Sequence, residues 1–363
     1  FNGMKAKGMV NAPIGDKIGV RLAGFYLKRD GYTKNVFNNT KIDDRDMFGV
    51  RGSIRFQPTD TTTLDLMGYY FREKDNRSRI QKQMCQRDPT GVLGCLPNRL
   101  EFGQLNANST FVGTLSSSEL LRIQGGAAAG GLLAPLGLGS LYGPDAYAGF
   151  VNPASVRQVN MDYTPTYFTN EKQFQAHLDQ ELGSMNLSLT GMYHTTNVES
   201  NADYNQSVQN GALFAPGLAT LRAYAAGAAG AGVAAYFAPV AAAGSPTAGT
   251  FCTSEAEYTG TGSYGGHKIC SNTPLDFDRS NQKNRQWNVE AILSSDFDGK
   301  FNFLLGGMYL DQRVKDNNYF VNSFGIDYVS GVLGAATGLG SAGALPPGYL
   351  GTPFYRSNSA LYT

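Results

Sequence analysis

Apolar and polar residues alternate with a period of two along several stretches of this chain, and the stretches come in pairs joined by short polar turns. From Ile18 to Lys28 one face carries Ile18, Val20, Leu22, Gly24 and Tyr26, and the other Arg21, Ala23 and Phe25. Its partner across Pro13-Ile14-Gly15-Asp16 runs from Lys5 to Ala12, with Ala6, Gly8, Val10 and Ala12 opposite Lys5, Lys7, Met9 and Asn11. Met47 to Gln57 repeats the grammar: Phe48, Val50, Gly52, Ile54 and Phe56 alternate with Arg51, Ser53, Arg55 and Gln57. Period-two spacing puts the two sets on opposite faces of a strand. A face of arginine, serine and glutamine suits a watery lumen and not a dry core, which leaves the apolar face to meet lipid. Apolar outside and polar inside, with tight turns at one end and long loops at the other, is the pattern of an outer-membrane β-barrel.

The pattern predicts four strand pairs. Pro58-Thr59-Asp60 turns the Met47 strand into Thr62 to Arg72; Gln173 to Leu182 turns at Gly183-Ser184 into Met185 to His194; and a strand through Trp287, Val289, Ala291 and Leu293 turns at Asp298-Gly299 into Phe301 to Tyr309. Long extracellular loops are expected at about 73–166, 196–282 and 316–363, with no strand from Asp316 onward. A soluble β-sandwich or solenoid also alternates, but the pairing of tight turns with very long loops at alternate ends tells against it. Eight strands close only a small barrel, which conflicts with loops of this size, and an unclosed sheet leaves edges that lipid does not tolerate. The chain also lacks an initiating Met, a signal peptide and a terminal aromatic strand. It is therefore expected to be a piece: all-β, about eight strands of a larger antiparallel transmembrane barrel.

Composition narrows the function classes. No run of about 18 apolar residues marks a spanning helix, and a net charge of +1 argues for neither a nucleic-acid partner nor an acidic disordered tail.

Several segments carry a family resemblance. Asn11-Ala12-Pro13-Ile14, Arg21-Leu22-Ala23-Gly24-Phe25, Arg29-Asp30-Gly31-Tyr32 with Asn35 beyond, and Arg51-Gly52-Ser53-Ile54-Arg55-Phe56-Gln57-Pro58-Thr59 resemble the early barrel of TonB-dependent receptors. The resemblance is strong over residues 5–72 and mainly architectural beyond. It implies a 22-stranded barrel in a Gram-negative outer membrane, an N-terminal plug that blocks the lumen, and uptake powered by the inner-membrane TonB complex. Neither plug nor TonB-contacting segment is in this sequence, so energy coupling rests on family likeness alone.

Cys85 and Cys95 fall in one long loop, Cys252 and Cys270 in the next. An even count in a chain that reads as exported points to disulfides, and of the three connectivities the local one keeps each bridge within its loop. A zinc site is the alternative, but the pairs lack the usual ligand spacing. Ala/Gly-rich stretches at Gly125 to Gly139, Ala223 to Gly244 and Gly331 to Gly343 read as small-residue helices or coils over the barrel mouth. Ser117-Ser118-Glu119-Leu120-Leu121 opens with N-capping chemistry.

Candidate chemistry is sparse. Arg21, Arg51, Arg55, His177, Asp179, Glu181 and Glu290 are expected to face the lumen. His177, Asp179 and Glu181 share one face, with His194 on the next strand, so a metal or catalytic cluster is conceivable; the same spacing is what a solvated wall requires. No nucleophile elbow, phosphate loop or zinc-protease motif is present, and neither cofactor, metal nor enzymatic activity is expected. Tyr26, Tyr70, Tyr193, Tyr309 and Trp287 lie on the lipid face near strand ends, as membrane-interface anchors. The expected partners are outer-membrane lipid and lipopolysaccharide, the TonB complex, and a scarce bulky solute such as a ferric siderophore, cobalamin, haem or an oligosaccharide. A passive porin-like channel or a surface-exposed binding protein is the competing class.

Overall fold

The computed structural model describes residues 2–97, 101–255 and 261–342. Its main element is one eight-stranded antiparallel sheet in which every strand lies beside its neighbours in sequence. The strands are β1 (Gly3–Ile14), β2 (Ile18–Arg29), β3 (Arg45–Thr59), β4 (Thr62–Asp75), β5 (Thr166–Glu181), β6 (Met185–Asp203), β7 (Asp276–Ser295) and β8 (Leu304–Ser323). Short turns join β1 to β2, β3 to β4, β5 to β6 and β7 to β8, all at one end of the sheet. At two of them the chain reverses through Gly15 (φ 66°) and Gly183 (φ 67°), a left-handed conformation that glycine adopts without a Cβ clash. Among the described residues β1 and β8 are each paired on one side only.

The strands are longer than the alternation indicates. β6 has 19 residues and β7 and β8 have 20 each, whereas a tilted strand needs only about 9 to 11 to cross a bilayer. β4 continues to Asp75, β5 starts at Thr166, β6 continues to Asp203 and β7 starts at Asp276, so the connections begin later and end sooner than expected. The expectation of no strand after Asp316 is wrong. β8 pairs with β7 as far as Ser323, after a bulge between Asn281 and Lys283 where Asp316 takes φ 50°. That bulge interrupts the period-two pattern, and beyond it Asn317 and Asn318 give no contrast between faces. The fourth pair opens at Leu304 and not at Phe301. Residues 343–363 of the expected last loop lie outside the described residues.

At the other end the long connections fold together into a cap. Its longest helices among the described residues are α1 (Ser118–Leu133), α2 (Ala215–Ala225), α3 (Ala231–Gly244) and α4 (Phe324–Ala342). Thr33–Asn35, Thr40–Ile42 and Gln158–Val159 form a small three-stranded sheet beside them. Ser117 caps α1 by accepting a hydrogen bond from the Leu120 amide (3.2 Å), which satisfies one of the free first-turn N–H groups. The helices pack closely because small residues stand at their contacts: a Cβ on Gly217 would lie 2.3 Å from the Gly137 carbonyl oxygen, and one on Gly331 2.6 Å from Val240 Cγ1. The main buried apolar cluster is entirely here, with Leu121, Leu133, Leu218, Leu221, Tyr236, Phe237, Phe324 and Val332 at its centre. No described helix is long and apolar enough to cross a membrane.

Candidate functional site

Strand register sorts the wall into two faces of opposite chemistry. One cross-strand row reads Arg55, Asp65, His177, Thr190, Glu290, each residue directly opposite the next. Arg55 closes a bidentate pair on Asp65 (Nε to Oδ1 2.8 Å, Nη2 to Oδ2 2.7 Å). His177 is held between Thr190 Oγ1 (2.8 Å, through Nδ1) and Asp179 Oδ2 (2.9 Å, through Nε2). The next row on this face reads Asn11, Arg21, Ser53, Met67, Gln175, Met192, Asn288. From β1 to β5, with Thr190 of β6, these rows line a concave, open space of about 840 Å³ bordered by Arg21, Arg51, Arg55 and His177. Arg51 sits one row further on, opposite Ala23 and Tyr69. Asp179 and Glu181 follow His177 toward the turn, so all seven residues expected to face a lumen occupy this one face. Asp65, which closes the strongest pair, is the residue sequence reasoning left out; the Pro58-Thr59-Asp60 turn fixes the register that sets it opposite Arg55.

His194 does not join His177. It stands opposite Gln173, four residues along β6 from Thr190, roughly 13 Å away at the strand rise, and pairs with Glu171 Oε1 (2.8 Å). Among the described residues no group of three metal-ligating side chains converges.

The opposite face is apolar for three consecutive rows. They run Ile14, Ile18, Phe56, Leu64, Leu178, Leu189; then Ala12, Val20, Ile54, Leu66, Ala176, Gly191, Val289; then Val10, Leu22, Gly52, Gly68, Phe174, Tyr193, Trp287. Leu22 is 55% exposed, Phe174 60% and Val289 51%. A contiguous apolar surface of this extent exceeds what water-facing proteins display.

Aromatic residues mark the limit of that surface, one on each strand from β2 to β8. Tyr26 faces Phe48; Tyr70 stands two residues closer to the short turns; Phe174, Tyr193 and Trp287 form a row two residues closer again; Tyr309 is two residues beyond. Tyr193 and Trp287 touch, with ring centroids 4.3 Å apart. The line thus slips by six residues, about 20 Å, over six strand spacings of about 4.8 Å, a slope of roughly 35° that matches the tilt of strands in membrane barrels. The five expected anchors Tyr26, Tyr70, Tyr193, Trp287 and Tyr309 all lie on this line. The expectation that they stand near strand ends is wrong for Tyr193 and Trp287, which are mid-strand, because β6 and β7 run on past the apolar zone into the cap.

The cap has its own polar centre. Asp162, Asp203 and Asp276 are buried close together beneath Tyr147. Burial pushes the Asp162 carboxyl up to about 7 and that of Asp276 to about 6, and raises Asp203 strongly; the neighbouring carboxylates add to the effect on Asp162 and Asp203. Asp276 Oδ2 accepts hydrogen bonds from Asn205 Nδ2 (2.6 Å) and Gln209 Nε2 (2.5 Å). Asp276 and Tyr147 form part of the wall of a cavity of about 310 Å³ whose other walls are mostly apolar, among them Leu105, Phe111, Leu138, Phe214 and Ile326. Such a cavity suits a small amphiphilic group. These carboxylates lie in segments without periodicity, so the sequence offered no signal for them. Cys85 is bonded to Cys95 and Cys252 to Cys270, each within one connection. The second bridge joins directly opposed residues of the Phe251–Ser254 and Lys268–Ser271 hairpin.

The chain matches no family profile and no curated protein. Among solved structures it is similar to the siderophore receptor PiuA from Acinetobacter baumannii, at 11% identity and a TM-score of 0.41 over 87% of this chain. The ferric-catecholate import receptor Fiu from E. coli K12 gives 8% and 0.38 over 85%, and the ferric yersiniabactin uptake receptor FyuA from Yersinia pestis 8% and 0.22 over 88%. The chain spans about a third of the first two structures, 31% and 33% of their length. At these scores the likeness carries no inference about ligand or partner, and the functional reading below rests on the sheet itself.

Proposed function

We propose that this chain forms part of the wall and the outer cap of an outer-membrane β-barrel of the TonB-dependent receptor kind, which binds a scarce bulky solute at the cell surface and imports it. The observation that carries the reading is the two-faced sheet: three consecutive apolar rows back onto rows built from Arg55, Asp65, His177, Gln175 and Glu290, and every short turn is at one end. Lipid accepts the first face and a water-filled lumen the second. Further strands beyond β1 and β8 complete the wall, since free edges in lipid leave unpaired N–H and C=O groups.

Uptake, as against passive diffusion, is favoured by the cap. It has an apolar core, two disulfides and a cavity with the buried Asp276 carboxyl in its wall, an ordered structure over the mouth that a diffusion pore does not need. Energy supply by TonB rests on the resemblance over residues 5–72. We assign the polar wall to solute passage and not to catalysis. The test is accumulation of a panel of labelled ferric siderophores, cobalamin, haem and oligosaccharides by cells expressing the full gene, with and without a functional TonB complex. Accumulation of one solute that stops when TonB is removed supports the reading; accumulation that persists unchanged and follows solute size alone establishes the passive channel instead.

A further inference from the structure

The cap cavity of about 310 Å³ stands where three separate parts of the chain meet: residues within 105–147 of the connection after β4, residues within 204–214 of the connection after β6, and the join of β8 to α4. Its size is at the lower end of the range of small-molecule sites, about 300 to 1,000 Å³, so the bulky solute of the proposed function is not its occupant. Asp276, at the start of β7, is the only charged residue among the described ones that line it; no Lys, Arg or His does.

That carboxyl is fixed in place and half used. Asp276 is 7% exposed, and its Oδ2 is held by the Asn205 and Gln209 amides, while Oδ1 has no hydrogen-bond partner among the described residues. A buried carboxylate oxygen left in this state costs free energy that a donor would return. Hydrogen bonding favours the ionised form against burial, which raises the carboxyl to about 6, so it is charged at neutral pH. Four aromatic residues, Phe111, Tyr147, Tyr204 and Phe214, stand in the same lining, and the face of an aromatic ring attracts an ammonium group. Two of these rings are themselves held: the Tyr147 hydroxyl accepts a hydrogen bond from Asn205 Nδ2 (2.9 Å), and Phe214 stacks on Phe324 with centroids 6.3 Å apart.

We infer that this cavity binds a small organic ammonium ion, an alkylamine or arylalkylamine, which donates an N–H to Asp276 Oδ1 and places its apolar part among Phe111, Tyr147, Tyr204 and Phe214. A neutral alcohol also has a donor for Oδ1, but a cation in addition neutralises a carboxylate enclosed by apolar walls, where charge-assisted hydrogen bonds are the stronger ones. An anion would add a second negative charge to the first. The bound amine touches all three parts of the chain that meet there, and because it binds the folded cap it stabilises the cap by mass action. None of this depends on the reading of the sheet as a membrane wall.

The experiment is isothermal titration calorimetry of the full-length protein in neutral detergent at neutral pH, with phenethylamine, with its neutral isostere phenethyl alcohol and with the anion hydrocinnamate; hydrogen exchange locates what binds. It is run on the native protein, on Asp276→Asn, and on Leu213→Trp, whose indole fills the cavity and leaves the carboxyl in place. We expect saturable binding of phenethylamine, at least about ten-fold weaker binding of the alcohol and none of hydrocinnamate, with exchange slowed within 105–116 and 204–214 and at the start of α4. Asp276→Asn should bring the amine down to the level of the alcohol, and Leu213→Trp should abolish the binding of both. Equal affinity for amine and alcohol overturns the inference. Amine affinity undiminished in either variant, or slowed exchange confined to the strands of the wall, overturns it as well, because the amine then sits elsewhere. Should Asp276→Asn loosen the cap by itself, Leu213→Trp and the ratio of amine to alcohol affinity in the native protein decide the matter.

Discussion

The wall and the cap both carry large apolar side chains and use them in opposite ways. In the cap, Leu133, Leu218, Tyr236 and Phe237 are buried against one another and the polar groups outside are solvated. In the wall, Val10, Leu22, Phe174 and Val289 lie exposed on one face, while on the other Arg55 pairs with Asp65 and His177 with Asp179. On the proposed reading, the difference follows from the solvent each region is built for. A water-borne fold gains by hiding apolar area, whereas a wall in lipid has only to satisfy its backbone, which the ladder does for β2 to β7, and is then free to show apolar side chains to lipid.

The largest expected effect is in the cap. Phe237→Ala removes a fully buried ring and should destabilise the cap by about 3 to 5 kcal/mol, seen as lost hydrogen-exchange protection in α2, α3 and α4 with β1 to β4 unchanged. Loss of protection throughout the wall would show that the two regions are one cooperative unit. Leu22→Arg tests the other side: a charge on the lipid face near mid-bilayer should cost about 2 to 4 kcal/mol in a membrane-folding titration. Stability equal to that of the native protein would contradict the face assignment. Reduction of Cys85–Cys95 and Cys252–Cys270 should cost about 2 to 4 kcal/mol per bridge in the cap alone, through the freedom returned to the unfolded loops; chemical denaturation followed by cap and wall probes separately would resolve it.

Acidity should act on the cap as well. Asp162 and Asp276 hold their protons to about 7 and about 6 in the folded cap, against roughly 4 when unfolded. Between those limits the folded state binds more protons than the unfolded one, so cap stability falls as pH rises from about 4 to 7. Hydrogen exchange, corrected for its intrinsic pH dependence, should show a tighter cap at pH 5 than at pH 8, and Asp276→Asn should flatten the profile. The smallest effect belongs to the inner face. Arg21→Ala should change stability by no more than about 0.5 kcal/mol, because the one side-chain hydrogen bond of Arg21 among the described residues is to Met9 Sδ (3.0 Å) and it otherwise projects into the open space.

How much of this was legible in the sequence follows the same division. The alternation at Ile18 to Lys28 and Met47 to Gln57 reports a surface with a different solvent on each side, and there strand, face and turn can all be read. Where β6 and β8 leave the membrane zone the two faces lose their contrast, as at Asn197 and Asn317-Asn318, and the strands continue unannounced because the ladder and not the side chains sustains them. The stretches Ala223 to Gly244 and Gly331 to Gly343 could be read only as helix or coil, since Ala and Gly carry no amphipathic stripe; the described part of them falls in the helices Ala215–Ala225, Ala231–Gly244 and Phe324–Ala342, where close contacts such as Gly331 against Val240 pack them together. The Asp162, Asp203 and Asp276 cluster joins three distant segments and has no local pattern at all. The cysteine spacing, by contrast, limits the reach of each chain and so pointed to bridges within single connections.

The central claim is that neighbouring residues of one strand meet different solvents, and the most direct measurement is a spin-label scan of β2 from Gly19 to Tyr26 in lipid bilayers, recording collision with oxygen, which concentrates in lipid, and with a water-soluble nickel chelate. The account predicts a strict two-residue period, with oxygen contact greatest at Val20, Leu22 and Gly24 and chelate contact greatest at Gly19, Arg21 and Ala23. A scan without that period, or with the two sets of positions exchanged, would contradict it.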